Sequence, residues 1–501
     1  MTSGNIFFEM TFSMMRRFVL SLALATLMSC EHHVENAVDV EEFPSIFPDY
    51  IGVTIPSDIA PMDFDLTDTD FDCMDVTVKG ERGGEIHSNG TTADFDVDEW
   101  HDLLAHNKGG KIVFCVCVER NGKWLRYKEF DMYVSQHDLE EWGLTYRRVA
   151  PGYEVYSQMG LYQRDLSSFD EYEILSNERI PGNCVNCHTS NKTDPDNFLF
   201  HVRGEQGATV LHKKGNTMLL DTKTSETLGL CVYPYWHKDG RFVAFSTNNT
   251  RQAFHVSDPS RVEVFDYDSD LQILDTESNT LLLSPLVMRE DYNETYPCFS
   301  ADGSRLFFCS AKKRDFPTGT RDVRYGLMAM DFDASHASYG SVVDTLIDAE
   351  RDSISIVFPK PSYDGRYIMF TVADYGTFPI WHHEADLCLL NLSDGSWRKM
   401  DEVNSDDTES YHNWSDNSRW FVFSSRREDG LYTRLYLSSI GEDGMATKPF
   451  LLPQRNPRHF YERMMYSYNV PDFTKRKVEM EKRKVSNGIL SEQRIRLSSR
   501  R

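Results

Sequence analysis

Two cysteines and a histidine in the middle of the chain stand at a spacing that can hold an iron porphyrin. The run Cys184-Val-Asn-Cys187-His188 places two thiols two residues apart and an imidazole directly after the second. Thiols at this spacing can bond the two vinyl groups of a haem, while the adjacent histidine ligates the iron. We therefore predict one covalent c-type haem, attached at Cys184 and Cys187, with His188 as an iron ligand.

Two other uses of these cysteines are weaker. A structural zinc site needs two further ligands at suitable spacing, and the sequence contains no second C-x-x-C pair. A redox-active pair is expected beside a thioredoxin-type βαβ unit, and no such pattern lies nearby. Haem attachment remains the favoured interpretation.

The second axial ligand of the iron is expected from residues near the motif. His201 lies in an apolar stretch and is the first choice, with a hydrogen-bonded core histidine as its alternative role. Met159 is the second choice, followed by Met218 or His212. Arg203 has a planar guanidinium that suits a haem propionate, although a surface role is an equal alternative.

The N-terminus predicts export, which haem attachment outside the cytoplasm requires. A positive and then apolar stretch over residues 16–28 leads into Leu27-Met-Ser-Cys30. This order is typical of a secretory signal, and the apolar run is too short to span a bilayer. The last four residues resemble the lipobox of bacterial lipoproteins, so Cys30 is the predicted lipidation site. The alternative is ordinary signal cleavage near Ser29, which would yield a soluble periplasmic protein.

The composition excludes one class of partner. The chain has 501 residues and a formal net charge of −25, with 40% hydrophobic residues. Such a charge repels phosphates, so no nucleic-acid partner is expected. Neither a nucleophile elbow nor a metal-ligand cluster is visible, so we do not expect an enzyme.

One pattern occurs four times in the second half of the chain. Each copy has an aromatic residue, usually followed by proline, then a turn that is Asp-Gly in three copies, then a strand that ends in Phe and a small residue. Asp-Gly permits a tight hairpin turn, and repeats of this length indicate a repeat fold. Four strands per unit suit a β-propeller, whose radial arrangement protects the sheet edges. The aligned positions, at steps of 63, 62 and 53 residues, are Trp236, Phe299, Pro361 and Trp414.

These copies resemble the TolB-type, WD40-like propeller repeat over residues 205–470. The resemblance implies six blades, with five as the alternative. The chain as a whole resembles exported bacterial lipoproteins that join a c-type haem motif to a TolB-like propeller. The stretches that carry this second resemblance are Tyr146–Tyr153, Met159–Arg164, Cys184–His188 and Phe200–Gly204.

The predicted protein is mainly β, with a small β-rich domain and a haem-attachment segment before the propeller. Within the β-rich domain, Lys111–Val118 and Trp124–Phe130 are expected to pair around the turn Asn121-Gly122. The predicted units are 1–29 (lipoprotein-type signal peptide with an upstream extension), 30–49 (acidic tether), 50–181 (N-terminal β-rich domain), 182–204 (haem-attachment segment), 205–470 (propeller) and 471–501 (basic C-terminal tail).

Two functions are consistent with these predictions. In the first, the haem transfers electrons to or from a protein partner docked on the propeller. In the second, the chain is a binding or scaffold protein for a protein or glycan, and its haem is structural or sensory. Both place the chain in the bacterial cell envelope, lipid-anchored in the periplasm or at the outer membrane.

Overall fold

The computed structural model describes residues 34, 36–150, 158–257, 260 and 262–501. Its strands form six sheets of four main strands each, together with a separate N-terminal sheet and a short two-stranded ribbon. The predicted signal peptide and Cys30 lie outside the described residues. In the part of the chain that is described, no helix is both long and apolar enough to cross a membrane.

The six sheets are the blades of a β-propeller. In each blade the four strands pair antiparallel from the axis to the rim, and the inner strands of neighbouring blades contact one another around a closed ring. This confirms the predicted propeller and its six blades. The strands from axis to rim are Asn183–Asn191, Asp194–Gly204, Ala208–Lys213 and Asn216–Asp221 in blade 2; Val232–Trp236, Phe242–Phe254, Val262–Asp275 and Thr280–Leu282 in blade 3; Tyr292–Phe299, Arg305–Lys312, Gly326–Asp333 and Ser338–Ile347 in blade 4; Ser355–Pro361, Tyr367–Ala373, Asp386–Asn391 and Trp397–Lys399 in blade 5; and Glu409–Trp414, Trp420–Ser425, Arg434–Ser439 and Phe450–Leu451 in blade 6.

Blade 1 closes the ring with strands from two distant parts of the chain. Its three outer strands are Gly143–Val149, Met159–Asp165 and Glu171–Ser176. Its inner strand is Ser467–Thr474, which pairs antiparallel with the first of them. This pairing leaves no open sheet edge between the first and last blades.

The propeller therefore extends beyond the predicted boundaries. Residues 143–176 belong to blade 1 rather than to the unit 50–181, and residues 182–204 form the first two strands of blade 2. Neither blade has the Asp-Gly turn that marks blades 3, 4 and 5. Blade 2 turns at Asn191-Lys192-Thr193, and the first two strands of blade 1 are not consecutive in the chain.

Residues 471–501 also differ from the predicted basic tail. They begin within the inner strand of blade 1 and continue through the helix Lys482–Leu490. Two short strands, Ile495–Arg496 and Ser498–Arg500, then pair in parallel with the outer edges of blades 2 and 3. Backbone pairing at these two edges fixes a segment whose composition alone resembles a solvated tail. In the described part of the propeller, the other helices are Ala349–Asp352 and Pro457–Arg463.

The N-terminal domain is a sheet with one helix. The predicted hairpin around Asn121-Gly122 is confirmed, but its return strand is interrupted after Arg126. The helix Val97–His106 begins at Asp96, whose carboxylate accepts hydrogen bonds from two backbone N–H groups of the first turn. The strands of this domain are Val38–Asp39, Thr54–Ile55, Cys73–Gly80, Glu85–Gly90, Lys111–Arg120, Lys123–Arg126 and Phe130–Val134, with Ile46–Phe47 and Asp65–Leu66 forming the ribbon.

The domain shares its apolar core with blades 5, 6 and 1. Polar contacts fasten the same interface: the Tyr50 hydroxyl donates to the carbonyl of Leu451 at 3.1 Å. The Trp420 indole donates to the carbonyl of His137 at 3.1 Å. This shared burial holds the N-terminal domain against one side of the propeller. The residues that line the propeller axis come from the blades.

Candidate functional site

Every inner strand carries the same distortion at the same point. One residue in each adopts a left-handed φ between 47° and 54°, and the pairing with the second strand shifts there. Such a φ costs a residue other than glycine about 1–2 kcal/mol. Its recurrence in all six blades indicates that the bulge is a regular feature of this propeller. The six residues are Cys187, Tyr233, Tyr296, Phe358, Tyr411 and Val470.

The predicted haem motif is one of these six copies. Cys187 occupies the position of Tyr233 in blade 3, and His188 occupies that of Pro234. Four of the six blades have proline at this second position, and blades 2 and 6 have histidine. The motif is therefore the inner strand of blade 2, with cysteine in place of an aromatic residue.

The six bulges surround a chamber of about 110 Å³ that the inner strands of all six blades line. Aromatic rings form much of its wall. Tyr296 contacts Tyr233 and Phe358 edge-on, with ring centroids 4.6 Å apart in both cases, and Phe358 lies 4.8 Å from Tyr411. Rings in such contacts are held in place by their neighbours, so the wall is preorganised.

A smaller chamber of about 30 Å³ adjoins the first one along the inner strands. Thr189, Lys360 and Asn413 line both. All three are the second residue after the bulge in their blades, so this position marks the junction of the two chambers. We call the larger space the axial chamber and the smaller one the adjoining chamber.

Asp472 is the acidic group of the axial chamber. One oxygen accepts from the backbone N–H of Ser190 at 2.9 Å, and the other accepts from the Asn413 amide at 2.6 Å. Burial raises the pKa of Asp472 to about 7, against the opposing effects of the Ser190 backbone N–H, of Lys360 and of Thr189. The carboxyl group therefore changes charge near neutral pH.

Two basic side chains line the same chamber. Arg147 donates to the side-chain oxygen of Asn186 at 2.5 Å. Lys360 lies with its ammonium 5.0 Å from the ring centroid of Tyr235, and burial lowers its pKa. The chamber thus combines apolar walls with a few polar groups, which is the usual composition of a small-molecule site.

His188 is the least satisfied polar group of the motif. It is 3% exposed, and neither ring nitrogen has a hydrogen-bond partner within the described structure. Burial lowers the pKa of His188 to about 3, with the charges of Arg147 and Lys360 acting in the same direction. The imidazole is therefore neutral at physiological pH.

The arrangement does not fit a covalent haem. Cys187 and His188 line the axial chamber but Cys184 does not, and both ring nitrogens of His188 are enclosed by protein. Pockets for drug-sized ligands measure about 300–1,000 Å³, which is well above the volume found here. Burial also raises the pKa of both thiols. Haem attachment therefore stays a prediction, and this arrangement does not support it.

The predicted second iron ligand is also displaced from the motif. Phe198 lies beside His188 and packs toward blade 1, whereas Leu199 packs toward blade 3. His201 has the same parity as Leu199 in its strand, so it lies on the opposite face of the sheet from His188.

The other proposed ligands lie away from the chamber as well. Met159 begins the third strand of blade 1, counted from the axis, and Met218 is in the outer strand of blade 2. His212 forms a hydrogen bond with the Thr217 hydroxyl at 3.0 Å. Arg203, the predicted partner of a haem propionate rather than an iron ligand, is exposed in the strand beside Cys184. Among the described residues, no three His, Cys, Asp or Glu side chains are grouped so that they could hold a metal ion.

The spacing of the motif and its packing lead to opposite expectations: if the packed arrangement described here holds, protein exported from cells with active haem-attachment machinery carries no covalent haem. The reason is that the thiols and His188 form part of a packed inner strand. Denaturing electrophoresis with haem staining, together with the intact mass, measures this directly. A stained band that disappears in the Cys184→Ala, Cys187→Ala double variant would contradict it.

Sequence reasoning did not single out Lys360, Asp472 or Arg147. The first two follow the bulge residue of their blades by two positions. Aligning the four visible copies at the bulge would have revealed Lys360. Asp472 was hidden because the inner strand of blade 1 has no following Asp-Gly turn in the chain.

A long hairpin of blade 3 reaches past blade 4 to blade 5, next to the axial chamber. Glu263 on this hairpin contacts the His382 ring at 3.1 Å and accepts a hydrogen bond from the Tyr375 hydroxyl at 2.6 Å. Asp266 accepts from Thr377, whose carbonyl accepts from the hydroxyl of the chamber residue Tyr296. We call this set of contacts the hairpin clamp.

The clamp contains a buried ion pair. Glu263 and His382 have side chains that are 4% and 1% exposed. Burial lowers the pKa of His382, but Glu263 and Glu384 outweigh it and raise the value to about 9. His382 is therefore charged at neutral pH and holds the hairpin against blade 5.

The fold defines the class of this protein as a six-bladed β-propeller with an N-terminal β domain. No protein-family model and no curated protein matches the sequence. Solved structures with a similar fold include an oligogalacturonate lyase in complex with manganese (TM-score 0.36, 11% identity, 62% of this chain and 72% of that chain). Apo prolyl oligopeptidase B from Galerina marginata is similar at TM-score 0.36 and 11% identity, over 61% of this chain and 44% of that one. The β-propeller domain of the Trilobed protease from Pyrococcus furiosus is similar at TM-score 0.33 and 10% identity, over 68% of this chain and 82% of that chain.

Proposed function

We propose that this protein is a cell-envelope binding protein, anchored by a lipid at Cys30, that holds a small ligand in the axial chamber. The observation that carries the proposal is the chamber itself. It lies where one bulge from every blade converges, its walls are aromatic, and a few polar groups face it. Sites for small molecules are typically preformed and concave, with mainly apolar walls and a few polar groups.

The sequence supports the envelope location. The apolar signal segment and its cysteine precede a short acidic stretch, which suits a tether between a membrane and a folded domain. Electron transfer, the other function that the sequence suggested, depends on the predicted haem, and the buried motif offers no observation that supports it.

The proposal predicts that filling the axial chamber abolishes ligand binding without unfolding the protein. Cys187→Tyr is the suitable change, because three other blades carry tyrosine at the same bulge position. Thermal shift with a panel of amino acids, short sugars and small carboxylic acids measures binding. We expect at least one class to raise the melting temperature of the wild type and to have no effect on the variant.

A matched control is Cys231→Ala, a buried cysteine in the same propeller that does not line the chamber. It should respond to the panel as the wild type does. The proposal fails if Cys187→Tyr responds as strongly as the wild type, or if no compound in the panel binds.

A further inference from the structure

The residue that follows the bulge by two positions differs in every blade. It is Thr189, Tyr235, Cys298, Lys360, Asn413 and Asp472 in blades 2, 3, 4, 5, 6 and 1. The bulge residues themselves are mostly large and apolar. Each blade thus contributes a different side chain at this position, and three of them, Thr189, Lys360 and Asn413, line both chambers.

Lys360 is the cation at this junction. Its backbone is fixed, since its carbonyl accepts from the Trp414 indole at 2.9 Å. Its ammonium makes no hydrogen bond or ion pair in the described part of the protein, and it lies 5.0 Å from the centroid of the Tyr235 ring. Lys360 is half-buried and lines both chambers. An ammonium in such a place is a strong hydrogen-bond donor that the protein itself leaves available.

The other charged groups of the axial chamber differ from Lys360 in their contacts and position. Asp472 has one oxygen on the Ser190 backbone and the other on Asn413, and no ion pair joins it to Lys360 among the described residues. Arg147 donates to Asn186 through one amino group, while its Nε has no hydrogen-bond partner within the described structure. Of these three charged side chains, Lys360 is the one that lines both chambers.

We infer that the ligand of the axial chamber is a small monoanionic carboxylate with an apolar or aromatic body, and that Lys360 binds its carboxylate. This inference rests on the proposed function. A charge-assisted hydrogen bond to the ammonium supplies affinity, while the rings of Tyr233, Tyr296 and Phe358 contact the apolar body. The nearby carboxyl group of Asp472 disfavours a ligand with two negative charges, which favours a carboxylate over a phosphate.

Calorimetric titration of the full mature chain with benzoate tests this inference, with benzamide as the uncharged analogue and inorganic phosphate as the alternative anion. We expect benzoate to bind the wild type about tenfold or more tightly than benzamide does, because only benzoate forms the charge-assisted bond. Lys360→Met should remove this difference, and Lys360→Gln provides a second variant that keeps polarity. Lys399→Met is the matched control, since Lys399 lies at the rim of the same blade and pairs with Asp386.

Three results would overturn the inference: equal binding of benzoate and benzamide, equal or tighter binding of phosphate, or unchanged benzoate affinity in both Lys360 variants. Failure of the inference can be told apart from failure of the proposed function. If benzoate does not bind but another compound binds in a way that Cys187→Tyr abolishes, the chamber is still a ligand site. If no compound binds in a way that Cys187→Tyr abolishes, both the inference and the proposed function are wrong.

Discussion

Deletion of residues 467–501 is expected to leave no folded propeller. The deletion removes the inner strand of blade 1, exposes the edge of Gly143–Val149 and opens the ring between blades 6 and 2. It also removes Tyr468 and Phe473, which are buried in the core shared with the N-terminal domain. Loss of one such aromatic side chain costs about 3–5 kcal/mol, and whole domains are stable by only about 5–15 kcal/mol.

Circular dichroism melting and limited proteolysis measure this effect. We expect the truncated chain to show no cooperative transition and to be digested rapidly. Deletion of residues 491–501 is the matched control, because it removes only the two short edge strands on blades 2 and 3. That control should melt cooperatively a few degrees below the full chain. Cooperative melting of the longer deletion near the wild-type temperature would contradict the role assigned to the inner strand.

Glu263→Gln is expected to release the hairpin clamp and to lower the free energy of unfolding by about 3–5 kcal/mol, because removing one partner of a buried ion pair leaves the other uncompensated. Glu384 still contacts the other ring nitrogen of His382 at 3.1 Å, so the loss should lie at the low end of that range. Urea denaturation at pH 7 measures it. A loss below about 0.5 kcal/mol would show that the pair does not hold the hairpin.

The same pair predicts how stability depends on pH. The pKa of His382 is about 9 in the folded protein, above the usual value of 6.5. The stabilisation from the charged ring is therefore complete below about pH 6.5 and is lost as the pH rises through 9. Glu263→Gln should flatten this part of the pH profile. Asp49→Asn is the control: it breaks the pair with Lys448, whose partners are 66% and 40% exposed, and should cost at most about 1 kcal/mol.

The sequence was sufficient to predict the features that depend on local chemistry. The Asp-Gly turns after the bulge residues of blades 3, 4 and 5 need a backbone conformation that only a few residue types favour. They can therefore be recognised from the sequence alone. The hairpin turn at Asn121-Gly122 was predicted on the same ground and confirmed. The recurrence of the pattern at steps of 63, 62 and 53 residues indicated a repeat, and six blades followed from the resemblance.

The tertiary structure decided everything that depends on residues far apart in the chain. Blade 1 joins Gly143–Val149 to Ser467–Thr474, and no local pattern links two strands separated by that distance. The axial chamber likewise exists only when six inner strands meet, so Lys360 and Asp472 have no common signal in the sequence. The spacing of Cys184, Cys187 and His188 identified a chemistry that these residue types can perform. Whether the thiols and the imidazole can reach a shared ligand depends on the strand that holds them and on the blades packed against it.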